Sequence, residues 1–582
     1  MVDSCGLGGE DRTSSKRGQD TEPLAIAPTR TVILSISDMA DNRAAPAFVH
    51  EVEEVTITEE KQPQPRKKGF RFWLIFLSLC ISLFLAAFEL TAVTTALPSI
   101  IHDLEGSHFI WVGSGYSIAA TAFLPMSGGV AEIVGRRWSM ISGLVIFALG
   151  SALCGSAKNM DWLIAARVIQ GLGGSAILSL SSIIVSDMVP LRERGAYNGI
   201  LGLMWALASG IGPIISGALV QGGHWRWIFY LNLPVCAVAL LLTLVFLSLP
   251  TPPGTLKEKL SRMDWIGNAI IISSTSAAII GLTWGGVQYP WSSSRVLVPL
   301  ILGLCGVIVF FIYEVHVATH PLVPYTLLSN RTSISGYAQT FLNQLVVLAV
   351  AYYLPVYYQA CKDASPIKSG IYMLGLSLTL GPSVIIAGLS VNKSKKYRPQ
   401  LWLGWVLFAL GMGVSVTLGY NTPLAHGIGI PVILGAAAGT ILAVTYFPVL
   451  SPLDVRENAR ALAFFSFCRS FAGVWGISIG GVILQNELKR KLPGQFLAAL
   501  PAGADFTFTV IPGIKDLPEP LRDQVKRAFA DSLKVVWEVM MGIVLLGLLV
   551  SLFMQHYHLT DKTDEKWSAK ETLREPEGGP EV

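Results

Sequence analysis

Arg167-Val168-Ile169-Gln170-Gly171-Leu172-Gly173-Gly174 lies inside an uninterrupted apolar run at 162–188, and the next such run carries Gly210-Ile211-Gly212-Pro213-Ile214-Ile215-Ser216-Gly217. Each run is long enough to cross a bilayer as a helix. An arginine at the centre of a span costs about 2.5–3.5 kcal/mol on insertion scales, so the fold must give Arg167 a polar cavity or a partner. A Gly-Pro pair removes one backbone hydrogen bond from the neighbouring span, which is tolerated where that span packs on protein. A buried cation beside a loosened helix points to a solute pathway.

Working outward, the chain has 582 residues, of which 52% are hydrophobic and 14% charged, against about 25% charged in soluble domains. The fold class is therefore all-α, a polytopic membrane protein. The net charge of +4 is small and says nothing about nucleic acid, and no nucleic-acid partner is expected. Seven widely spaced cysteines with no CxxC pair imply neither a disulfide framework nor a metal site. No GxxxxGK[ST], HExxH or nucleophile elbow occurs, and Gly171–Gly174 sits within a span rather than after a strand. The expectation is a protein that is not an enzyme and holds no cofactor.

Residues 1–69 are polar and lack apolar periodicity or a signal-peptide core, so they read as a disordered cytoplasmic tail ending in Arg66-Lys67-Lys68-Gly69-Phe70-Arg71. Fourteen spans follow, near 72–97, 110–131, 139–156, 162–188, 197–220, 227–248, 265–287, 297–317, 334–358, 367–390, 400–419, 425–448, 460–484 and 534–555. The short loops on one side carry Arg136, Arg137, Arg192, Arg194, Lys257, Lys259, Arg262, Arg331, Lys393, Lys395, Lys396, Arg398, Arg456 and Arg460; those on the other carry Lys158, Arg226, Arg295, Lys362 and Lys368. This asymmetry puts both termini in the cytoplasm. Loop 485–533 then lies outside, and Leu521, Val525, Phe529 and Leu533 recur at helical spacing within it, predicting an interfacial helix. The domains read as a 70–250 six-helix bundle, a 251–331 linker with two inserted helices, a 332–555 six-helix bundle, and a 556–582 cytoplasmic tail.

A repeat relates the halves. Gly128-Gly-Val-Ala-Glu132-Ile-Val-Gly135-Arg136-Arg137 follows the second span, and Gly388-Leu-Ser-Val-Asn392-Lys-Ser-Lys395-Lys396 follows the tenth. Two six-helix halves related in this way fit a transporter built from repeats.

Four stretches carry a resemblance: Glu89-Leu-Thr91-Ala-Val-Thr-Thr-Ala96-Leu97-Pro98, Gly128–Arg137, Arg167 with Gln170–Gly174, and Gly210–Gly217, supported by Trp225-Arg226-Trp227-Ile-Phe-Tyr-Leu-Asn232-Leu-Pro234. Over roughly 70–555 the chain resembles the major facilitator superfamily, specifically its fourteen-helix drug:proton antiporter branch, common among fungal drug and toxin exporters. It departs from that pattern in having Glu89 and Glu132 where Asp is commoner. The resemblance implies export of small amphiphilic organic molecules by alternating access, driven by the proton gradient, by a monomer in the plasma membrane or the vacuolar membrane. It implies proton coupling at Arg167, Glu89 and Gln170. It implies gating by Gly128, Glu132, Gly135, Arg136 and Arg137, with Glu132 pairing Arg136 when the inner side is shut; Asp187, at the inner end of the fourth span, is a further gating candidate as a partner for Arg136. Gly210, Gly212, Pro213 and Gly217 are the antiporter motif.

Glu89 is the one acid well inside the first half's spans, at a depth that matches Arg167; the alternative for Arg167 is a tie to backbone carbonyls. Ala208, Gly212 and Ser216 form a small-residue seam suited to tight packing. Candidate cavity residues are Tyr116, Trp205, Tyr337, Asn343, Gln344 and Arg469, with Tyr352 and Tyr446, a lining that suits a bulky amphiphile or an organic cation. Tyr353, Tyr357 and Tyr358 read as an interfacial belt, and Glu314 and His316 as snorkelling groups near the cytoplasm. Two rivals remain: a proton symporter importing a siderophore-like solute, and a solute receptor that transports nothing. The Gly210–Gly217 motif argues against import, and tails of about 69 and 27 residues argue against a receptor.

Overall fold

The computed structural model describes residues 68–104, 110–191, 193–248, 255–286, 288–494, 496, 511–557 and 559. The expected tail 1–69 lies almost wholly outside them, as do Arg192 and most of 556–582. Among the described residues thirteen helices are long and apolar enough to cross a membrane, and a bent pair makes a fourteenth. We number them α1 (Phe70–Leu104), α2 (Ile110–Ala122 continued by Leu124–Val134), α3 (Arg136–Gly155), α4 (Met160–Met188), α5 (Arg194–Gln221), α6 (Trp227–Tyr230 continued by Asn232–Phe246) and α7 (Trp265–Trp284). The rest are α8 (Ser294–His316), α9 (Arg331–Lys362), α10 (Pro366–Ser394), α11 (Arg398–Val416), α12 (Leu424–Val444 continued by Tyr446–Leu450), α13 (Asn458–Lys491) and α14 (Leu521–Leu552). Among the described residues the only β pairing is one isolated bridge, Gly285 to Tyr289.

The breaks have local causes. The segments of α2 meet at 47° because Pro125, in the first turn of the second, has no N–H to extend the ladder of the first. In α6, Pro234 cannot bond the carbonyl of Tyr230, and the helix breaks at Leu231.

Packing repeats across the two halves. In the first, α1 lies on α5 and α6, α4 on α2 and α3, and α3 on α6. In the second, α9 lies on α13 and α14, α12 on α10 and α11, and α11 on α14. Between the bundles α5 runs along α10, and α13 meets α2 and α4; α7 and α8 pair with each other, and α7 touches α2 and α13.

The interfacial helix expected at 521–533 is instead the first part of the continuous α14. Val525, Phe529 and Leu533 are buried, and Lys526 and Arg522 pair with Asp363 at the end of α9 at 2.5 and 2.8 Å. Burial works against the Asp363 charge, yet these two cations hold its carboxyl below the ordinary value. The helical period was read correctly, but its apolar stripe meets α9 and not lipid. The tyrosine belt is corrected in the same sense. Tyr353, Tyr357 and Tyr358 are buried and donate to the carbonyls of Ile477, Gly419 and Gly427 at 2.5, 3.0 and 2.6 Å, tying α9 to its neighbours.

Candidate functional site

The glycines after Arg167 set the geometry of the first bundle. A Cβ on Gly171 would meet the Tyr116 carbonyl of α2 at 2.5 Å, and one on Gly173 would meet the Phe147 nitrogen of α3 at 2.4 Å. Bare backbone at both positions lets α4 wedge between α2 and α3. The side chains of five helices then converge around Arg167.

Arg167 is 1% exposed and Glu89 0%, so the pair is sealed inside protein. The Arg167 Nη1 donates to Glu89 Oε1 and to Gln170 Oε1 at 2.7 Å, its Nε donates to the Val112 carbonyl at 2.9 Å, and its guanidinium lies 4.6 Å from the centroid of the Tyr116 ring. The second Glu89 oxygen accepts from Asn232 Nδ2. Asn232 Nδ2 and Gln170 Nε2 both reach Ser151 Oγ, at 3.0 and 3.1 Å, and that hydroxyl donates to the Phe229 carbonyl at 3.0 Å. Arg167 keeps its charge at any useful pH. Glu89 is the member of this cluster suited to exchange a proton, with burial and the neighbouring cation acting on it in opposite senses. Asn232 and Ser151 complete the site and were given no role from the sequence. The signal for Asn232 was its place directly after a helix break, two residues before Pro234; Ser151 carries none.

A second group of residues lies where the bundles meet, near the basic loops. A Cβ on Gly128 of α2 would stand 2.6 Å from the Ala463 Cβ of α13, and one on Gly388 of α10 would stand 2.4 Å from the Gly195 backbone of α5. The two repeat-related glycines thus make the two equivalent crossings. Glu132 bridges to Arg460 of α13 at 2.8 Å. Arg136, buried, pairs through Nε with Asp187 at 2.9 Å and donates to the Ala131 carbonyl at 3.1 Å. Gly135 takes φ 101°, a value that favours glycine, where α2 turns into α3. Arg137 reaches the Leu244 carbonyl of α6 at 2.7 Å. The Glu132–Arg460 bridge is partly exposed, so about 0.2–1 kcal/mol is expected from it. Glu132→Lys should therefore slow transport modestly, and adding Arg460→Glu should restore it; a double-mutant cycle on transport rate checks this.

The antiporter motif divides. Gly212 faces α1, where a Cβ would meet Thr91 Oγ1 at 2.4 Å, and Ser216 donates to the Ala92 carbonyl at 2.6 Å, so the Ala208–Gly212–Ser216 seam packs α5 onto α1. Gly210 and Gly217 have open space where a Cβ would point. Pro213 lies within α5.

The cavity assignments change in several places. Tyr116 is buried beneath Arg167 and belongs to the charged cluster. Tyr337 is buried, donates to the Ala461 carbonyl at 3.3 Å and packs on Phe464 with ring centroids 4.9 Å apart, so it joins α9 to α13. Trp205 is half-buried and packs on the core of its own bundle. Asn343 is buried with Oδ1 unpartnered. Gln344 and Arg469 do come together, at 3.3 Å; Arg469 is half-buried, and no carboxylate lies within ion-pair distance of it among the described residues. Tyr446, close to Arg469, shares a hydrogen bond with Ser182 of α4 at 3.0 Å, linking the bundles. Tyr352 is exposed. His316 is exposed, but Glu314 is 3% exposed, which excludes snorkelling for it.

Comparison with known proteins adds relatives to this geometry. The family model described as Major Facilitator Superfamily matches residues 79–477. The chain is 37% identical to Efflux pump FUS6 of Gibberella fujikuroi over 89% of this chain and 95% of that one. It is 37% identical to MFS-type efflux pump LUC4 of a Fusarium species over 88% and 92%, and 36% identical to MFS efflux transporter aclA of Aspergillus oryzae over 86% and 93%. Among solved structures, the human organic anion transporter MFSD10 (TETRAN) superposes with a TM-score of 0.53 at 14% identity, over 83% of this chain and 100% of that one. At that identity the likeness is one of fold.

Proposed function

The chain belongs to the major facilitator superfamily, and from that premise we propose that it is a secondary transporter that exports small amphiphilic organic molecules in exchange for protons. The observation that carries the reading is the sealed Glu89–Arg167 pair, held by Gln170, Asn232, Ser151 and Tyr116. A buried ion pair of this kind is expensive to maintain without a function. The efflux-pump names of relatives matched along most of the chain favour export over import.

The glycine crossings bring the cytoplasmic ends of the bundles together, so the conformation described here is closed on its cytoplasmic side. Glu89 has no exposed surface in it, and proton exchange therefore belongs to rearrangements that loosen α1 from α4. Proton arrival at Glu89 from outside releases Arg167, and proton release inward restores the pair. With a neutral substrate and one proton per cycle, the membrane potential supplies about 2.3 kcal/mol per 100 mV. Arg469, a cation with no carboxylate within ion-pair distance among the described residues, favours neutral and anionic amphiphiles over the organic cations that the aromatic composition suggested. We assign the working unit as a monomer in the plasma membrane.

The test is accumulation of lipophilic dyes and aromatic acids in inside-out proteoliposomes with an acidified lumen. Accumulation that collapses with a protonophore is expected. Accumulation only when the gradient is reversed would assign the importer instead.

A further inference from the structure

A pair of acids lies far from Glu89 in sequence, at the cytoplasmic ends of the two inserted helices. Asp264 caps α7, its Oδ1 accepting from the Gly267 N–H at 2.8 Å and from the Tyr313 hydroxyl at 3.2 Å. Glu314, in the last turn of α8, accepts from the Val323 N–H through Oε2 at 3.2 Å. The remaining oxygens, Asp264 Oδ2 and Glu314 Oε1, are both buried and have no partner. They converge on one point: a Cβ on Gly267 would stand 2.2 Å from the first and 2.7 Å from the second. The residues are 9% and 3% exposed.

Two buried carboxyl groups whose free oxygens converge on one point repel each other when both are ionised, which favours retaining one proton between them. The titratable groups facing the pair are the two acids and Tyr313. The 322–323 segment and the Gly128–Gly129 stretch of α2 bring no charge, and no Lys, Arg or His among the described residues lies within ion-pair distance of either acid. One hydron between the oxygens satisfies both at once, the lone donor that this arrangement lacks. We infer that Asp264 and Glu314 form a second proton-binding site, a carboxylic acid–carboxylate pair loaded from the cytoplasm and distinct from the Glu89 cluster.

The site is wired to the cytoplasmic seal. Glu314 holds the Val323 N–H, and a Cβ on Gly129 would meet the neighbouring Leu322 Cδ2 at 3.3 Å, beside the Gly128–Ala463 crossing. When the hydron returns to cytoplasmic water, two facing carboxylates remain; their repulsion loosens the 322–323 segment and its hold on α2. The exchange is simple protonation, with water as the only co-reactant.

The experiment uses the full chain in liposomes with Glu89→Gln, which removes the other proposed proton site, and reads the band lost in Asp264→Asn and Glu314→Gln against that background. Infrared difference spectra over a pH titration should show a protonated-carboxyl carbonyl band that vanishes as the medium becomes alkaline. Asp264→Asn and Glu314→Gln should each remove it. Hydrogen exchange of the peptide across 317–324, corrected for the intrinsic pH dependence, should rise over the same range and lie flat in Asp264→Asn. A Glu89→Gln protein with no such titrating band would overturn the inference whether or not the other variants fold. Persistence of the band in Glu314→Gln, or corrected exchange that ignores pH, would overturn it equally. Loss of transport on Glu89→Gln leaves it untouched, so the two proton sites fail separately.

Discussion

Glu89→Gln is expected to leave the protein folded and able to exchange substrate across a membrane, while abolishing accumulation driven by a pH gradient. Glutamine preserves the shape of the side chain and keeps an oxygen for Arg167, at some cost in unfolding temperature because the Arg167 charge then lies buried without its anion, and it cannot carry a proton between the two faces. Arg167→Ala should abolish accumulation as well, by a harsher route. It leaves the Glu89 charge buried without its cation, and breaking a buried pair from one side costs about 3–5 kcal/mol, so a lower unfolding temperature should accompany the lost coupling. Combining Arg167→Met with Glu89→Gln removes the stranded charge. That double variant should recover much of the thermal stability and none of the coupling. Thermal unfolding in detergent and gradient-driven uptake, measured on the same preparations, separate the two effects; uptake that returned together with stability would make the cluster structural.

The second large effect is expected at the crossing of α5 and α10. A methyl on Gly388 would stand 2.4 Å from the Gly195 carbonyl carbon, and one on Gly195 would stand 2.7 Å from Gly388 Cα. Both obstacles are backbone and cannot rotate away, so the helices must part. Overpacking of this kind costs about 1–3 kcal/mol, which shifts a conformational equilibrium by roughly 5- to 150-fold. Gly388→Ala should therefore favour the state with the cytoplasmic side open and slow export by a factor in that range. Substrate binding from the cytoplasmic side should survive. Protection of the α5 and α10 cytoplasmic ends against hydrogen exchange reads the shift directly; unchanged protection with unchanged export would show that the crossing is not a gate.

The parts of this molecule that could be read from residues alone were those with a single physical solution. Long apolar runs have to cross the bilayer, and the bend in α2 follows from Pro125. Glu89 and Arg167 were legible as a pair because one acid and one cation at matching depth leave few alternatives. Asn232 and Ser151 were not, because small polar residues occur throughout these spans and only packing decides which of them meet. The tyrosines of α9 were misplaced at a lipid interface: a helix-end tyrosine looks the same in sequence whether its hydroxyl meets a headgroup or a neighbouring carbonyl. Val525 and Phe529 failed in the same way, with the period right and the partner wrong. Glu314 was misread because its place near a helix end allowed snorkelling, whereas its burial depends on the fold of 322–323.

The central claim is that one buried carboxyl couples proton movement to that of the solute. The most direct measurement is the pH inside proteoliposomes, reported by a trapped dye, when a transported substrate is added on one side with no pre-formed gradient. Substrate entering inside-out vesicles that hold the wild-type protein should drive protons out and make the lumen more alkaline, and vesicles with Glu89→Gln should move substrate with no pH change. An equal pH change in both would contradict the assignment of coupling to Glu89 and Arg167.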